Sequence, residues 1–257
     1  MTQTTQLNYQ IAGEGEPVVL LHGLFGSLEN LGVVARELSQ NYKVISIDLP
    51  DHGRSYRSDS FSYDDYAQAV KTTTEALDIE QFALLGHSMG GKVAMNLALA
   101  MPDLVSKLII VDIAPGSYEQ RHTNVINALK SVDLATLTTR KQADDTMALH
   151  VREQGVRQFL LKSLAQADGT WSWRFNLNLI ERDYSELSQG ISSNDQYSGQ
   201  TLFIKGSESD YLLAEHQALI AELFPNSKAK IIQGAGHWLH AEKPVAFNKI
   251  VRDFLSS

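Results

Sequence analysis

Gln81-Phe82-Ala83-Leu84-Leu85-Gly86-His87-Ser88-Met89-Gly90-Gly91-Lys92-Val93-Ala94-Met95 decides the fold. A short apolar run leads into Gly-x-Ser-x-Gly, and helix-forming residues follow. The pattern predicts a strand, a sharp turn and a helix, with Ser88 at the apex. Gly86 and Gly90 are needed there because side chains would collide across the turn. The turn strains Ser88 and exposes its hydroxyl at the carboxyl edge of a sheet, beside the positive end of a helix. A bare five-residue match recurs by chance and also fits an ordinary strand–helix turn. The flanking strand and helix make this one specific.

Apolar runs on either side repeat the βα rhythm, which predicts an α/β fold with a mostly parallel central sheet flanked by helices. Val18-Val19-Leu20-Leu21 runs into the loop His22-Gly23-Leu24-Phe25-Gly26. Lys43-Val44-Ile45-Ser46-Ile47-Asp48 follows, then Leu108-Ile109-Ile110-Val111-Asp112, Thr201-Leu202-Phe203-Ile204-Lys205-Gly206 and Ala229-Lys230-Ile231-Ile232. Ser62 and Asp65 form a capping box that opens a helix burying Tyr66, Val70, Thr73 and Leu77. Pro102 ends the helix after Ser88. Phe247, Ile250, Val251 and Phe254 mark a closing helix.

Residues 116–195 break the rhythm and show no convincing buried strand. Leu129, Val132, Leu134 and Leu137 predict one helix there; Val156, Phe159, Leu160 and Leu164 predict another. An aromatic stretch, Thr170 to Phe175, follows a turn at Asp168-Gly169. The expected organisation is a core of residues 1–115 and 196–257, with 116–195 inserted as a helical cap over the sheet's carboxyl edge.

Composition narrows the function. A chain of 257 residues with 43% hydrophobic and 20% charged residues fits one large soluble α/β domain. A net charge of −8, spread along the chain, argues against nucleic acid or anionic membrane as partners. With no cysteine, disulfides, thiolate metal sites and a cysteine nucleophile are excluded. Met1-Thr2-Gln3-Thr4-Thr5-Gln6 has neither a basic region nor a long apolar core. No secretory signal is therefore expected, and the cytoplasm is the expected location. No metal-ligand cluster and no dinucleotide fingerprint is present, so no metal or cofactor is expected.

A serine hydroxyl needs a base within hydrogen-bond reach, and the base needs an orienting group. His237, in the glycine-rich stretch Gln233-Gly234-Ala235-Gly236-His237-Trp238, is the candidate base. His22 and His87 sit in turns, where their expected role is to fix a loop, and His240 borders the final loop. For the acid, chain order requires a residue between Ser88 and His237 at a strand end. Asp112 and Asp210 both qualify. The position three residues after Gly206, where such an acid usually lies, is Ser209. Asp210 is one residue out of place, so Asp112 is preferred and Asp210 remains the alternative. The Leu24 and Met89 amides are the expected oxyanion donors. Phe25, Arg121, His122, Trp173 and Trp238 are candidates for substrate binding, with Arg121 and His122 toward an anionic group. Packing between cap and core is an equally good account of the aromatic ones.

Together these segments resemble the α/β-hydrolase superfamily and, within it, the YbfF-type bacterial esterases. The resemblance rests on residues 22–27 with Asn30-Leu31-Gly32, on Gly86 to Lys92, and on Val111-Asp112-Ile113-Ala114-Pro115. It extends to residues 158–163, to Trp173-Arg174-Phe175-Asn176, and to residues 234–244. It implies an α/β-hydrolase fold with a helical cap, a cofactor-free carboxylesterase acting on short- to medium-chain esters, and an acid at Asp112. Acyl thioesters are a second substrate class. Two rivals remain: a carbon–carbon bond hydrolase or lyase on the same triad, and a small-molecule receptor that retains the pocket. The oligomeric state is open.

Overall fold

The computed structural model describes residues 6–257. Of the stretch Met1 to Gln6, residues 1–5 lie outside the described residues. Seven strands form one sheet: β1 (Tyr9–Ala12), β2 (Pro17–Leu21), β3 (Lys43–Ile47), β4 (Phe82–His87), β5 (Val105–Val111), β8 (Gln200–Gly206) and β9 (Ser227–Ile232). Their order is β1-β3-β2-β4-β5-β8-β9. Only β1 runs antiparallel, pairing Tyr9 with Ile47 and Ala12 with Val44. This polar edge strand escaped the sequence reading because three of its four residues are exposed and leave no apolar run.

The central strands are apolar on both faces because helices cover both. On one face Val19, Leu21, Leu84, Leu108 and Ile110 pack against α2 (Tyr63–Glu75) and α3 (Met89–Ala100). On the other, Val18, Leu20, Leu85, Ile109 and Val111 meet α1 (Gly32–Leu38) and α11 (Pro244–Leu255). The period-2 alternation along each strand divides the core into these two layers. Ser62 caps α2 by accepting a bond from the Asp65 amide at 3.3 Å, and Tyr66, Val70 and Thr73 are buried on its inner face. Leu77 lies past the end of α2 and is only partly buried.

Between β5 and β8 the chain forms α4 (Thr123–Ser131), α5 (Arg140–Met147), α6 (Gln154–Leu161), the hairpin β6 (Leu164–Ala167) and β7 (Thr170–Trp173), α7 (Leu177–Arg182) and α8 (Tyr184–Ser188). The hairpin corrects the all-helical reading of this stretch. Asp168 and Gly169 have φ of 49° and 77°, the double positive φ that a two-residue type I′ turn requires. β6 takes Leu164, so α6 stops at Leu161 rather than running on. The other expected helix also ends early. Asp133 Oδ1 accepts the Ala135 amide at 3.1 Å and Oδ2 accepts the Thr136 hydroxyl at 2.8 Å. That local turn competes with helix, so α4 ends at Ser131, and Leu134 and Leu137 lie outside it. Among the described residues, no helix is long and apolar enough to cross a membrane.

Candidate active site

β4 delivers Ser88 to the carboxyl edge of the sheet at φ 53°, ψ −121°, and α3 begins at the next residue. A Cβ at Gly86 would stand 2.2 Å from the Gly90 carbonyl oxygen, so only glycine lets the strand and helix approach this closely. Asp112 follows β5, also at positive φ (52°), and is fully buried. His237 lies in the loop after β9, ahead of α10 (Leu239–Glu242). The Glu242 carboxylate shapes that loop by accepting the Gly236 amide at 2.7 Å and the Trp238 amide at 3.2 Å.

These three strand ends bring the three side chains together. His237 Nδ1 donates to Asp112 Oδ2 at 2.7 Å, since an ionised carboxylate only accepts. The proton on Nδ1 leaves Nε2 as an acceptor, and the Ser88 hydroxyl donates to it at 3.0 Å. Asp112 Oδ1 takes the Gly206 amide at 3.1 Å, and Oδ2 also accepts the Ser209 hydroxyl. Asp210 is not part of this chain of bonds. Its carboxylate lies 2.6 Å from Arg121 Nη1 and is mostly exposed.

Histidines hold the surrounding loops. His22 Nδ1 donates to the Gly23 carbonyl at 2.8 Å, and its Nε2 accepts the Leu49 amide at 3.1 Å. His52 Nε2 accepts the Phe25 amide at 3.2 Å, while Nδ1 donates to the Pro50 carbonyl at 2.9 Å. Each ring thus uses one nitrogen as donor and one as acceptor, which is the neutral form. Burial lowers the pKa of both, that of His52 to about 3. Asp48 accepts the Leu28 amide at 2.7 Å and the Arg54 amide at 2.9 Å, tying the loop after β2 to the loop after β3. Leu24 and Met89 both border the space in front of Ser88. Among the described residues, neither amide donates to a protein acceptor.

That space has two lobes which share Leu24, Ser88 and His122. Tyr63, Lys92, Tyr118, Arg121, Tyr184 and Tyr211 line one, of about 40 Å³. Phe25, Val125, Val156, Phe159, His237 and Trp238 line the other, of about 50 Å³. Phe25, Arg121, His122 and Trp238 therefore border the cavity. Trp173 does not: it is buried and stacks on Phe175 at 5.5 Å, inside the packing between hairpin and core. Burial lowers the pKa of His122 to about 4, and its Nδ1 lies 2.5 Å from the Tyr184 hydroxyl. A neutral imidazole there is a poor anion binder, against the role expected for it.

The sequence carries no expectation for Lys92 or Tyr211, and the loop-fixing role expected of His87 acquires a partner. Lys92 is buried at the cavity wall and donates to the Gln189 carbonyl, linking α3 to the segment after α8. Burial pulls its pKa down to about 8. His87 Nε2 donates to the His237 carbonyl at 2.9 Å and so steadies the loop that carries the imidazole. Tyr211 stacks on His237 with ring centroids 4.0 Å apart at 22°. None of these has a local signal, because each joins residues distant in sequence. Ser209 did have one, since it occupies the usual acid position after Gly206.

A family model for the alpha/beta hydrolase fold matches residues 16–244. Esterase YbfF of Escherichia coli (strain K12) is 39% identical over 241 residues, 93% of each chain. The sn-1-specific diacylglycerol lipase ABHD11 of Danio rerio is 39% identical over 252 residues, covering 95% of this chain and 79% of the relative. A solved structure of a marine microorganism esterase superposes with a TM-score of 0.95 at 38% identity, covering 97% of this chain and 99% of its own. The chain belongs to the α/β-hydrolase fold family, and its resemblance to YbfF-type esterases holds.

Proposed function

We propose that this protein is a serine hydrolase that cleaves carboxylic esters through an acyl-Ser88 intermediate. The observation that carries the reading is the continuous chain from Ser88 Oγ to His237 Nε2 at 3.0 Å and from His237 Nδ1 to Asp112 Oδ2 at 2.7 Å. Ser88 attacks the carbonyl carbon while His237 takes its proton, and the Asp112 carboxylate stabilises the resulting imidazolium. The Leu24 and Met89 amides receive the developing oxyanion. His237 then gives its proton to the departing alkoxide, and the carbonyl reforms as the acyl enzyme. A water repeats the sequence: His237 takes its proton, its oxygen attacks, Ser88 leaves reprotonated, and the acid is free.

The leaving group must lie within reach of His237, so the Phe159–Trp238 lobe receives the alcohol. The Lys92–Tyr118 lobe is left for the acyl group. At its volume of about 40 Å³ it seats roughly three or four water-sized groups, which favours short acyl chains. Residues 116–195 act as the cap over this space, supplying His122, Val125, Val156 and Phe159 to its walls, with 1–115 and 196–257 as the core. The relatives named as esterases support an ester substrate, and thioesters fit the same chemistry.

The test is hydrolysis of p-nitrophenyl esters from acetate to laurate, with an acyl thioester alongside, by wild type and Ser88→Ala. Turnover is expected to be greatest at acetate to butyrate. Loss of a nucleophile of this kind lowers kcat by about a million-fold. A wild type inactive on every ester, or a Ser88→Ala protein that keeps its activity, refutes the reading.

A further inference from the structure

We propose that Tyr211 is a positioning residue that holds the His237 imidazole in its working plane. The inference rests on the Ser88–His237–Asp112 reading. His237 sits in a loop between Gly234, at φ 64°, and Trp238. Its ring torsion lies in a broad well, so the side chain does not fix its own plane. Two in-plane bonds fix it in the resting enzyme. One of these is lost when Ser88 carries an acyl group, since the serine oxygen then has no proton to donate. Only the bond to Asp112 then remains, and the ring can swing about it unless something presses on its face.

Tyr211 covers that face, nearly parallel at 4.0 Å. The His87 ring approaches at 4.9 Å, tilted by 41°. Tyr211 is itself held on several sides. Its amide donates to Ser209 Oγ at 3.3 Å, and its carbonyl accepts the Tyr118 hydroxyl at 2.5 Å. Its own hydroxyl lies 3.4 Å from His122 Nε2. The imidazole occupies one face of the ring, which leaves the other for the Arg121 guanidinium, 4.7 Å from the ring centroid. Arg121 is anchored in turn by Asp210 at 2.6 Å.

Three successive residues therefore serve one pair of groups. Ser209 binds the acid, Asp210 fixes Arg121, and Tyr211 backs the base. This explains why Asp210, which looked like a candidate acid, has its carboxylate turned away from His237. The aromatic face also suits the intermediate charge state, because a ring quadrupole attracts the imidazolium that forms when Ser88 loses its proton.

The test compares Tyr211→Leu, Tyr211→Met and Tyr211→Phe with wild type on one p-nitrophenyl ester. Thermal melting establishes which variants are folded. A displaced catalytic group costs on the order of a hundredfold, so Leu and Met are expected to lower kcat by roughly tenfold to a hundredfold. Tyr211 also lines the acyl lobe, so KM is expected to change too, but by less than kcat, and Phe should recover most of the kcat loss, because the ring rather than the hydroxyl does the positioning. A second readout needs no turnover: the low-field proton resonance of His237 Nδ1–H. It should be sharp in wild type and Tyr211→Phe, and broadened in Tyr211→Leu and Tyr211→Met.

Unchanged kcat in Leu and Met, or a rise in KM alone, overturns the proposal. So does equal loss in Phe and Leu, which would assign the effect to the hydroxyl. If Leu and Met do not fold, the proposal stands or falls on Phe keeping both kcat and resonance. A wild type that cleaves no ester but loses its resonance in Tyr211→Leu would sink the esterase reading and leave the positioning role intact.

Discussion

Asp112→Asn removes one charge and keeps the shape of the side chain, so its effect can be worked out from three bonds. Asp112 Oδ1 accepts the Gly206 amide at 3.1 Å, and Oδ2 accepts His237 Nδ1–H at 2.7 Å together with the Ser209 hydroxyl. An asparagine must place its NH₂ at one of these two positions. At the Oδ1 position it would face a fixed backbone N–H, leaving buried donors unpaired at a cost of about 1–3 kcal/mol. At the Oδ2 position it meets Ser209, whose hydroxyl can turn to accept, and His237 Nδ1, which can accept only by giving up its proton. The second arrangement wins. The imidazole proton moves to Nε2, which then donates to Ser88 instead of accepting from it. Residue 112 is fully buried, so no water relieves the conflict. The wrong tautomer lowers kcat by about ten-thousandfold, or roughly 5.5 kcal/mol of barrier. Asp210→Asn is the control. It breaks an exposed ion pair worth at most about 1 kcal/mol, so activity should stay within roughly fivefold. The assay is p-nitrophenyl ester hydrolysis by both variants, with thermal melting to show that each is folded. A tenth or more of wild-type activity in Asp112→Asn, or the greater loss in Asp210→Asn, refutes the reasoning.

Two further predictions concern stability. Burial holds His52 at a pKa of about 3, and His122 and His240 at about 4. In the unfolded chain each titrates near 6.5, so between about 6.5 and 4 the unfolded state binds protons that the folded state refuses. Stability is therefore complete above about pH 6.5. It falls below that by on the order of 1 kcal/mol per pH unit for each histidine, before carboxylates begin to protonate. The melting temperature should drop visibly between pH 7.5 and 5; a flat profile contradicts the neutral, buried histidines. Separately, a Cβ at Gly90 would lie 2.5 Å from the His22 carbonyl oxygen and 2.6 Å from that of Leu21, whereas one at Gly32 meets nothing within 4 Å. Gly90→Ala should cost about 1–3 kcal/mol, lower the melting temperature by several degrees, and push on the Leu24 loop, reducing turnover. Gly32→Ala, at helical φ, should be neutral or slightly stabilising; equal melting points for the two variants would contradict this account.

What could be read from the sequence and what could not divides along the range of the interaction involved. The strands and the Ser88 turn are specified by neighbours within a few residues: apolar alternation, two glycines, a helix former. Asp112 is preferred over Asp210 in the sequence because position 209 carries serine. The geometry gives that substitution a physical sense. With the acid at the end of β5, residue 209 needs only to donate to it, and a hydroxyl does so. The hairpin carries no apolar run although Asp168-Gly169 is a turn signal, because β6 and β7 are four residues each and only Leu164, Trp171 and Trp173 along them are buried. The helix expected through Leu137 stops at Ser131 because Asp133 offers the backbone a competing turn. The partners of contacts across the site leave no trace in the sequence, even where a loop-fixing role is expected, as for His87: His87 meets His237 across 150 residues of chain, and Lys92 meets Gln189 across 97. The first of these contacts steadies the loop that carries His237. Two neighbouring strands hold the outer members of the chain of bonds, Ser88 after β4 and Asp112 after β5, and His237 reaches both on a loop from the edge strand β9. His237 is therefore the least anchored of the three. The chain compensates with a backbone bond from His87 and an aromatic face from Tyr211, and neither is visible until the strands are assembled.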